Sequence, residues 1–446
     1  MSEFLLVGFG VSNQNVARVL LGLQSSVSIF DDNPPQQAIQ AAKGLGLEIQ
    51  SNQNQLLELL RRCDYIVPTP GLPDSHKLHE LLDTLGASAP MALSELDVFA
   101  AHDSRPYLAV TGTNGKTTVT CLVEAMLKQS GISALAAGNA DPIGVPICEA
   151  MGKPDPEMFV IEVSSFQLRH SKAFTPKVAT WLNFAPDHLD VHASLSAYQA
   201  CKSKIWQNLS DTCTAVVNLD EPTVVQCLPA KAAHLTITTS AEPQAADFAL
   251  VGEKLTAFGE PFLKVSQLLR QQPHDVFNAL AATATATAGG ADIAAAVEVL
   301  RNFKGLPHRL DLIASSGGIT WYDDSKSTSP HSVISALQGI NSAVLIAGGR
   351  NKGLDLNPLA HIAHKLRAVV ALGEASKELQ AVFDGRTAVM VVEDMDSAVH
   401  KAYQAAKQGD AVLLSPGCSS FDMYSSYKER GRDFIAKVQA LLGGSS

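Results

Sequence analysis

The segment 107–118, YLAVTGTNGKTT, constrains this chain more than any other. An apolar run, Tyr107 to Val110, enters a short polar loop closed by Gly115, Lys116 and Thr117. Beyond it Val119, Leu122, Val123, Met126 and Leu127 recur at helical spacing, and Gly131 is placed to stop that helix. Strand, glycine–lysine loop and helix together form a phosphate cradle, in which backbone N–H groups and the helix N-terminus face phosphate oxygens. Lys116 brings positive charge, and Thr117 brings a hydroxyl suited to Mg²⁺. The general pattern has a first glycine where Val110 stands here. A plain glycine turn with a surface lysine is the alternative, and it leaves the paired threonines and the strand–helix setting unexplained.

The chain has 446 residues, enough for about three domains at roughly 150 residues each. Hydrophobic residues make up 46%, which supplies sizeable cores and argues against global disorder. A formal net charge of −10 weighs against nucleic acid or an anionic membrane as the main partner. Seven cysteines, at 63, 121, 148, 201, 213, 227 and 418, are scattered with no CxxC pair. Such a set reads as reduced thiols in a cytoplasmic protein. The start, MSEFLLVGFG, lacks the basic flank and cleavage site of a signal peptide, and no apolar run approaches the ~18 residues of a membrane span.

The pattern of short apolar runs and helical segments predicts an α/β protein of three blocks. The first, 1–93, opens with Phe4–Val7, the loop Gly8-Phe9-Gly10-Val11-Ser12-Asn13, and a second strand ending at Asp31-Asp32. It begins like a dinucleotide fold, but Asn13 stands where a third glycine is expected. A different phosphate-bearing ligand on a Rossmann-like scaffold therefore fits better than NAD. The turn-rich Pro68-Thr69-Pro70-Gly71 follows the strand Tyr65–Val67, where such sheets hold ligands. The second block, 94–304, contains the phosphate loop, strands over Met158–Val163 and Val178–Asn183, hairpins or loop over 240–266, and a helix over Phe277–Ala288. The linker NFKGLP, 302–307, leads to the third block, 305–446, where strands and helices alternate as in a second Rossmann-like sheet.

Several side chains could carry chemistry. Glu162 ends a strand, where a carboxylate can hold Mg²⁺ or simply be solvated. The segment 183–192, NFAPDHLDVH, crowds Asp187, His188, Asp190 and His192 past another strand, and His188 could ligate a metal or cap a loop. With 196–209 as a helix and Tyr198 at 0°, Cys201, Ile205 and Leu209 lie within about 60° of it, at ~100° per residue. Lys202 falls at about 40°, inside that stripe, and Lys204 at about 240°, opposite it. Burial penalises a charged lysine, and a neutral amine can take up CO₂ to give a carbamate, an anionic oxygen ligand for Mg²⁺. Alternatively Lys202 snorkels to the surface. His274 and Asn278 sit i, i+4 at a helix start, Arg309 follows the linker, and Asp323 to Thr328 follow a strand. Cationic groups from a separate domain suit closure over a phosphate.

TGTNGKTT (111–118), EVSSFQL (162–168), NFAPDHLD (183–190), YQACK (198–202), GLPHR (305–309), DDSKST (323–328) and LLSPGCSSFD (413–422) together resemble the Mur ligase family of ATP-dependent amide-bond enzymes, in the family's order. The resemblance implies three domains: a Rossmann-like UDP-substrate domain at 1–93, a central P-loop ATPase-type domain at 94–304 and a Rossmann-like glutamate domain at 305–446. The SSFQL and SPGCSSFD segments resemble the D-glutamate-adding member, which implies UDP-N-acetylmuramoyl-L-alanine and D-glutamate as substrates of a cytoplasmic, monomeric enzyme. It implies that Gly112, Thr113, Asn114, Gly115, Lys116, Thr117, Thr118, Asp275, Asn278, Arg309 and Asp324 bind ATP. Thr117 and Glu162 would hold one Mg²⁺, and His188 with carbamylated Lys202 the other. Ser12, Asp31, Asp32, Thr69 and Gly71 would form the UDP site, with Asn139 and His188 nearer the muramoyl end. Lys326, Thr328, Lys352, Ser420 and Tyr427 would receive glutamate. Departures occur at Ala140-Asp141-Pro142, which interrupts a GNIG motif, and at Asp275, Tyr427 and Ser329, where asparagine, phenylalanine and asparagine are common in the family.

Overall fold

The computed structural model describes residues 2–189, 191–240 and 246–443. Contacts divide the chain into two units. The first comprises Met1–Phe184, Val191–Leu269 and Phe277–Asn302, and the second comprises Ala185–Asp190, Arg270–Val276 and Phe303–Ser446. Asp190, one of the charged residues noted in the sequence, lies outside the described residues.

The first unit carries two sheets. One joins β1 (Glu3–Val7), β2 (Ser26–Phe30), β3 (Ile49–Gln50), β4 (Tyr65–Pro68) and β5 (Met91–Ala92), all parallel, in the order β3-β2-β1-β4-β5. Phe4 and Leu6 enter one core and Leu5 and Val7 another, so both faces of β1 are covered, as parallel sheets require. The order reverses between β1 and β4, which makes the carboxyl ends of these two strands the natural ligand crevice.

The other sheet contains β6 (Tyr107–Thr111), β7 (Ala134–Ala137), β8 (Met158–Glu162), β9 (Val178–Trp181), β10 (Thr214–Asn218), β11 (Ala233–Thr238), β12 (Phe248–Val251), β13 (Lys254–Ala257) and β14 (Glu260–Lys264). Their order is β14-β13-β12-β11-β10-β9-β6-β8-β7. The strands from β7 to β12 pair in parallel, and β12 to β14 form antiparallel hairpins, one of the two alternatives read for 240–266. Because β6 lies between β8 and β9, the loop leaving it meets the ends of both. The neighbouring core is aromatic: Phe99 meets Tyr107 and Phe159 edge-on, and Trp181 packs 5.4 Å from Trp206. Truncating one such buried ring costs about 3–5 kcal/mol.

The second unit holds β15 (Asp311–Ser316), β16 (Ile319–Asp323), β17 (Ala343–Gly348), β18 (Leu366–Leu372), β19 (Ala388–Val392) and β20 (Ala411–Gly417), ordered β15-β16-β20-β17-β18-β19. Only the β15–β16 pair is antiparallel. Ala343, Leu345 and Ala347 enter one core, and Val344 and Ile346 the other.

The helix expected over 196–209 is shorter. It runs Leu195–Ser203 and tightens to a 3₁₀ turn at Lys204–Trp206. Ile205 and Trp206 are consecutive and both buried, with the Trp206 indole N–H donating to Ala179 O at 3.0 Å. No helix among the described residues is long and apolar enough to cross a membrane.

Candidate active site

The phosphate loop takes its shape from side chains just past β9 and on the helix Pro273–Gly289. Asn183, just past β9, accepts the N–H groups of Thr113 and Asn114 at its Oδ1 (3.0 and 2.9 Å) and donates to Asn114 O (3.2 Å). Gly115 is left-handed at φ +85°, and a Cβ there would stand 2.6 Å from Asn278 Oδ1. That contact brings Asn278, from the helix Pro273–Gly289, against the loop entering the helix Lys116–Gln129. Gly112 is confined less tightly, a Cβ there standing 3.0 Å from Leu182 Cβ. Val110 sits fully buried inside β6, so the strand extends through Thr111 and the loop begins only at Gly112. This accounts for the absent first glycine.

Both site lysines converge on one oxygen. Lys116 Nζ donates to Gly112 O and Thr113 O, each at 2.9 Å, and Lys202 Nζ donates to Gly112 O at 2.7 Å. Lys202 is 1% exposed and its Nζ lies 4.9 Å from the Tyr198 ring centroid. The expected core-facing placement is realised, and the snorkelling alternative is not. Tyr198 continues the layer, its hydroxyl 3.3 Å from Thr113 Oγ1 and its ring 5.1 Å from that of His192, whose Nε2 lies 2.9 Å from Ser165 Oγ.

Glu162 ends β8 in register with Val110 on the adjacent strand. It is buried, and its Oε2 has no hydrogen-bond partner among the described residues. Thr117, also buried, opens the helix that follows the loop. An orphaned carboxylate oxygen and a hydroxyl are hard donors that fit Mg²⁺. Among the described residues no group of three His, Cys, Asp or Glu side chains forms a metal cluster. A site here therefore needs donors of other types, such as the Thr117 hydroxyl. His188 belongs to the segment Ala185–Asp190 of the second unit. Its backbone is left-handed at φ +55°, and its N–H donates to Asp187 Oδ1 at 2.9 Å. Such a conformation in a non-glycine residue costs about 1–3 kcal/mol and gathers at functional sites.

At the crevice between β1 and β4, Gly8 passes so close to Thr69 that a Cβ would meet Thr69 Cγ2 at 2.6 Å. Asp31 accepts the Phe9 N–H at 2.8 Å, and His76 Nε2 lies 2.5 Å from Asp32 Oδ2. Asn13 donates to Gly8 O (2.7 Å) and Val67 O (3.0 Å), tying the glycine loop to β4. It thereby does by hydrogen bonding what a third glycine does by close packing. Ser12, in the first turn of the helix Val11–Gly22, accepts from Asn139 Nδ2 at 2.8 Å. Gly71 is exposed, in the turn that follows Thr69.

In the second unit, Asp324 is enclosed. Its Oδ1 accepts the Leu310 N–H (3.1 Å), its Oδ2 accepts Ser415 Oγ–H (2.7 Å), and burial raises its pKa to about 6. Lys326 Nζ lies 4.3 Å from the Tyr427 ring centroid, and Lys352 Nζ lies 5.7 Å from that of Phe421, next to Ser420. Ser420 is buried and Thr328 exposed. Asp275 Oδ1 accepts from Arg270 Nε at 3.0 Å, and Arg270 also donates to the carbonyls of Arg309 and Leu310, so Asp275 helps to fasten the linker. Its Oδ2 is buried and has no hydrogen-bond partner among the described residues.

Two residues escaped the sequence reading. Arg430, 3% exposed, donates through Nε to Ser325 Oγ (3.0 Å), through NH2 to Ser325 O (2.8 Å) and through NH1 to Cys418 O (3.2 Å), joining the loops that carry Lys326 and Ser420. Burial lowers its pKa to about 10. His308 Nδ1 lies 2.5 Å from the buried Asp323 Oδ2. His308 falls inside the GLPHR motif, which was its only signal. Arg430 sits on a helix of ordinary charged composition and gave none.

Comparison with known proteins agrees with this arrangement. Residues 110–286 match the family described as Mur ligase middle domain, and residues 308–418 match the Mur ligase, glutamate ligase domain. The UDP-N-acetylmuramoylalanine--D-glutamate ligase of Nitrosococcus oceani is 34% identical, over 98% of this chain and 96% of its own. The enzyme of the same name from Desulfosudis oleivorans is 36% identical over 99% and 97%. Among solved structures, a pseudomurein peptide ligase type C from Methanothermus fervidus superposes with a TM-score of 0.62 at 19% identity, covering 98% of this chain and 100% of that one. A UDP-N-acetylmuramate-alanine ligase from Thermotoga maritima gives 0.59 at 18% identity, over 99% and 100%. These solved structures share the three-domain α/β fold. The chain belongs to the Mur ligase family.

Proposed function

We propose that this chain is an ATP-dependent ligase that joins D-glutamate to UDP-N-acetylmuramoyl-L-alanine in the cytoplasmic synthesis of peptidoglycan precursor. The observation that carries the reading is the pair of lysines, Lys116 and Lys202, converging on Gly112 O in the phosphate loop. Full-length relatives named for this reaction supply the two substrates. The boundaries near 93 and 304, a monomeric state and the roles of the individual site residues are part of the same proposal.

A carboxylate is a poor electrophile and must be activated. A carboxylate oxygen of the UDP-linked acid attacks the γ-phosphorus of ATP, the bond to the bridging oxygen breaks, and ADP leaves. The nitrogen of D-glutamate, as the free amine, attacks the acyl carbon. The tetrahedral adduct expels phosphate and leaves the amide. Lys116 and the loop N–H groups bind ATP phosphates. Bound Mg²⁺ ions screen the anions that must meet. Thr117 and Glu162 would hold one such ion, and His188 with Lys202 as its carbamate the other. Two ammonium groups within about two hydrogen-bond lengths repel each other. When neutral Nζ of Lys202 adds to CO₂ and loses a proton, that repulsion ends and Lys116 gains a counter-charge. Lys326, Lys352, Ser420 and Tyr427 suit the carboxylates of the incoming glutamate, with Arg430 holding their loops.

The reading is tested by ADP release from the purified protein with ATP, Mg²⁺ and UDP-N-acetylmuramoyl-L-alanine, adding D-glutamate, L-glutamate, L-lysine or meso-diaminopimelate separately. Release is expected with D-glutamate alone. Release with another amino acid would change the acceptor, and release with none would point to a switch-type ATPase.

A further inference from the structure

His192 is a buried ring that no step above uses. It is 2% exposed, and its Nε2 lies 2.9 Å from Ser165 Oγ. Ser165 opens the helix Ser165–Arg169, three residues beyond Glu162 at the end of β8. The reciprocal Ser164–Gln167 cap fixes the first turn of that helix, so the Ser165 hydroxyl is an anchored partner. The His192 ring stacks on Phe166 at 5.4 Å and 15°, and meets the Tyr198 ring at 5.1 Å and 45°. Phe184 packs on Tyr198 as well, at 5.2 Å. The main chain around His192 is held separately: Asp74 donates its N–H to Val191 O (3.2 Å) and accepts the Ala193 N–H at Oδ2 (2.7 Å). Tyr198 and Lys202 stand i, i+4 on the helix Leu195–Ser203, so their side chains share one face. Tyr198 touches Lys202 through its ring, 4.9 Å from Nζ, and faces Thr113 Oγ1 through its hydroxyl at 3.3 Å. Direct contacts therefore run from Ser165 through His192 and Tyr198 to Lys202, and all four side chains are buried.

We propose that His192 is a positioning residue for Lys202: hydrogen-bonded to Ser165, it holds the Tyr198 ring where that ring confines the Lys202 amine beside the phosphate loop. This rests on the ligase reading, in which Lys202 acts as its carbamate. Two demands meet at position 192. One is a flat ring to pack on Phe166 and Tyr198, and the other is a polar edge for the Ser165 hydroxyl. Phenylalanine meets only the first and glutamine only the second. The carbamate forms when neutral Nζ bonds to the carbon of CO₂ and a proton leaves to water. It serves the reaction only in one orientation, and a reacting group displaced by about 1 Å can lose a hundredfold in rate. In a close-packed interior, a Tyr198 ring held on two sides leaves Nζ little room to wander.

The test is a double-mutant cycle on the full chain, using His192→Phe, Ser165→Ala and the combination. Two quantities are measured for each: the kinetics of ADP release with ATP, Mg²⁺, UDP-N-acetylmuramoyl-L-alanine and D-glutamate, and the ¹³C NMR signal of the lysine carbamate formed from ¹³C-labelled bicarbonate. His192→Phe is expected to lower kcat about tenfold with each KM within about twofold, and to weaken the carbamate signal at fixed bicarbonate. Ser165→Ala removes the same hydrogen bond without adding bulk and is expected to act alike. In its background His192→Phe is expected to cost less than about twofold, because the bond is already gone. Unchanged kcat and carbamate, a parallel rise in every KM, or an equal cost in both backgrounds would overturn the proposal. Absence of the carbamate signal from the unaltered protein would instead overturn the carbamate reading, and the kcat cycle would decide the role of His192. Absence of ADP release from it would overturn the ligase reading, and the carbamate signal would decide.

Discussion

Gly115→Ala tests how the phosphate loop is built. Gly115 is held at φ +85° and ψ −18°, a region in which a residue with a Cβ loses about 1–2 kcal/mol. The new methyl would also lie 2.6 Å from Asn278 Oδ1 and 3.3 Å from Leu182 Cδ1. The first distance is a true overlap, and relieving it must displace a buried side chain, which costs about 1–3 kcal/mol. The expected loss is therefore about 2–5 kcal/mol of stability in the first unit, with ATP affinity reduced more than tenfold because loop and Asn278 move together. Urea unfolding followed by tryptophan fluorescence measures it. Trp181 and Trp206 lie in the sheet that carries the loop, and Trp321 is the one tryptophan in the other unit. The steric part is separable: Asn278→Ala removes the obstructing oxygen, so Gly115→Ala in that background should cost only the backbone part, about 1–2 kcal/mol. An equal cost in both backgrounds would refute the packing argument. No cost in either would refute the assigned backbone as well.

Lys202→Ala should abolish ligation, and millimolar formate or acetate should restore part of it by supplying the lost carboxylate; full activity without any added acid would dismiss the carbamate. Asp324→Asn should stabilise the second unit at neutral pH. An acid whose folded pKa is raised to about 6 penalises folding once pH rises above its ordinary value near 4, so the gain should be nil below about pH 4 and level off above about pH 6. It is worth at most about 3 kcal/mol, less whatever hydrogen bonding asparagine forfeits to Ser415 and Leu310. Urea midpoints from pH 4 to 8 measure this, and a pH-independent difference would count against it. Arg430→Lys should raise the KM for D-glutamate about tenfold with little effect on that for ATP, because one ammonium cannot keep the Ser325 and Cys418 contacts at once; equal effects on both substrates would indicate general unfolding instead.

The strands were readable because parallel sheets covered on both faces are written as short apolar runs, and the runs Phe4–Val7, Tyr65–Val67 and Met158–Val163 match β1, β4 and β8 to within one residue. Lys202 was readable from helical phase alone, even though the helix ends six residues early, because its position relative to Tyr198 is set within the first two turns. Contacts that depend on distant segments were not readable. Arg430 meets Ser325 across 105 positions, and Glu95 meets Gln167 across 72. Neither pairing leaves a local pattern, since a buried polar residue and an exposed one look alike in sequence. Asn13 is instructive in the same way: it seemed a defect in a glycine motif, and its amide proves to hold the loop against β4.

The central claim is that ATP activates the acid as an acyl phosphate before the amine attacks. The most direct measurement uses UDP-N-acetylmuramoyl-L-alanine labelled with ¹⁸O in its carboxylate, with ATP, Mg²⁺ and D-glutamate, and weighs the released phosphate by mass spectrometry. The proposed sequence transfers one labelled oxygen from the carboxylate to each phosphate released, in step with amide formed. Unlabelled phosphate alongside amide product would contradict it.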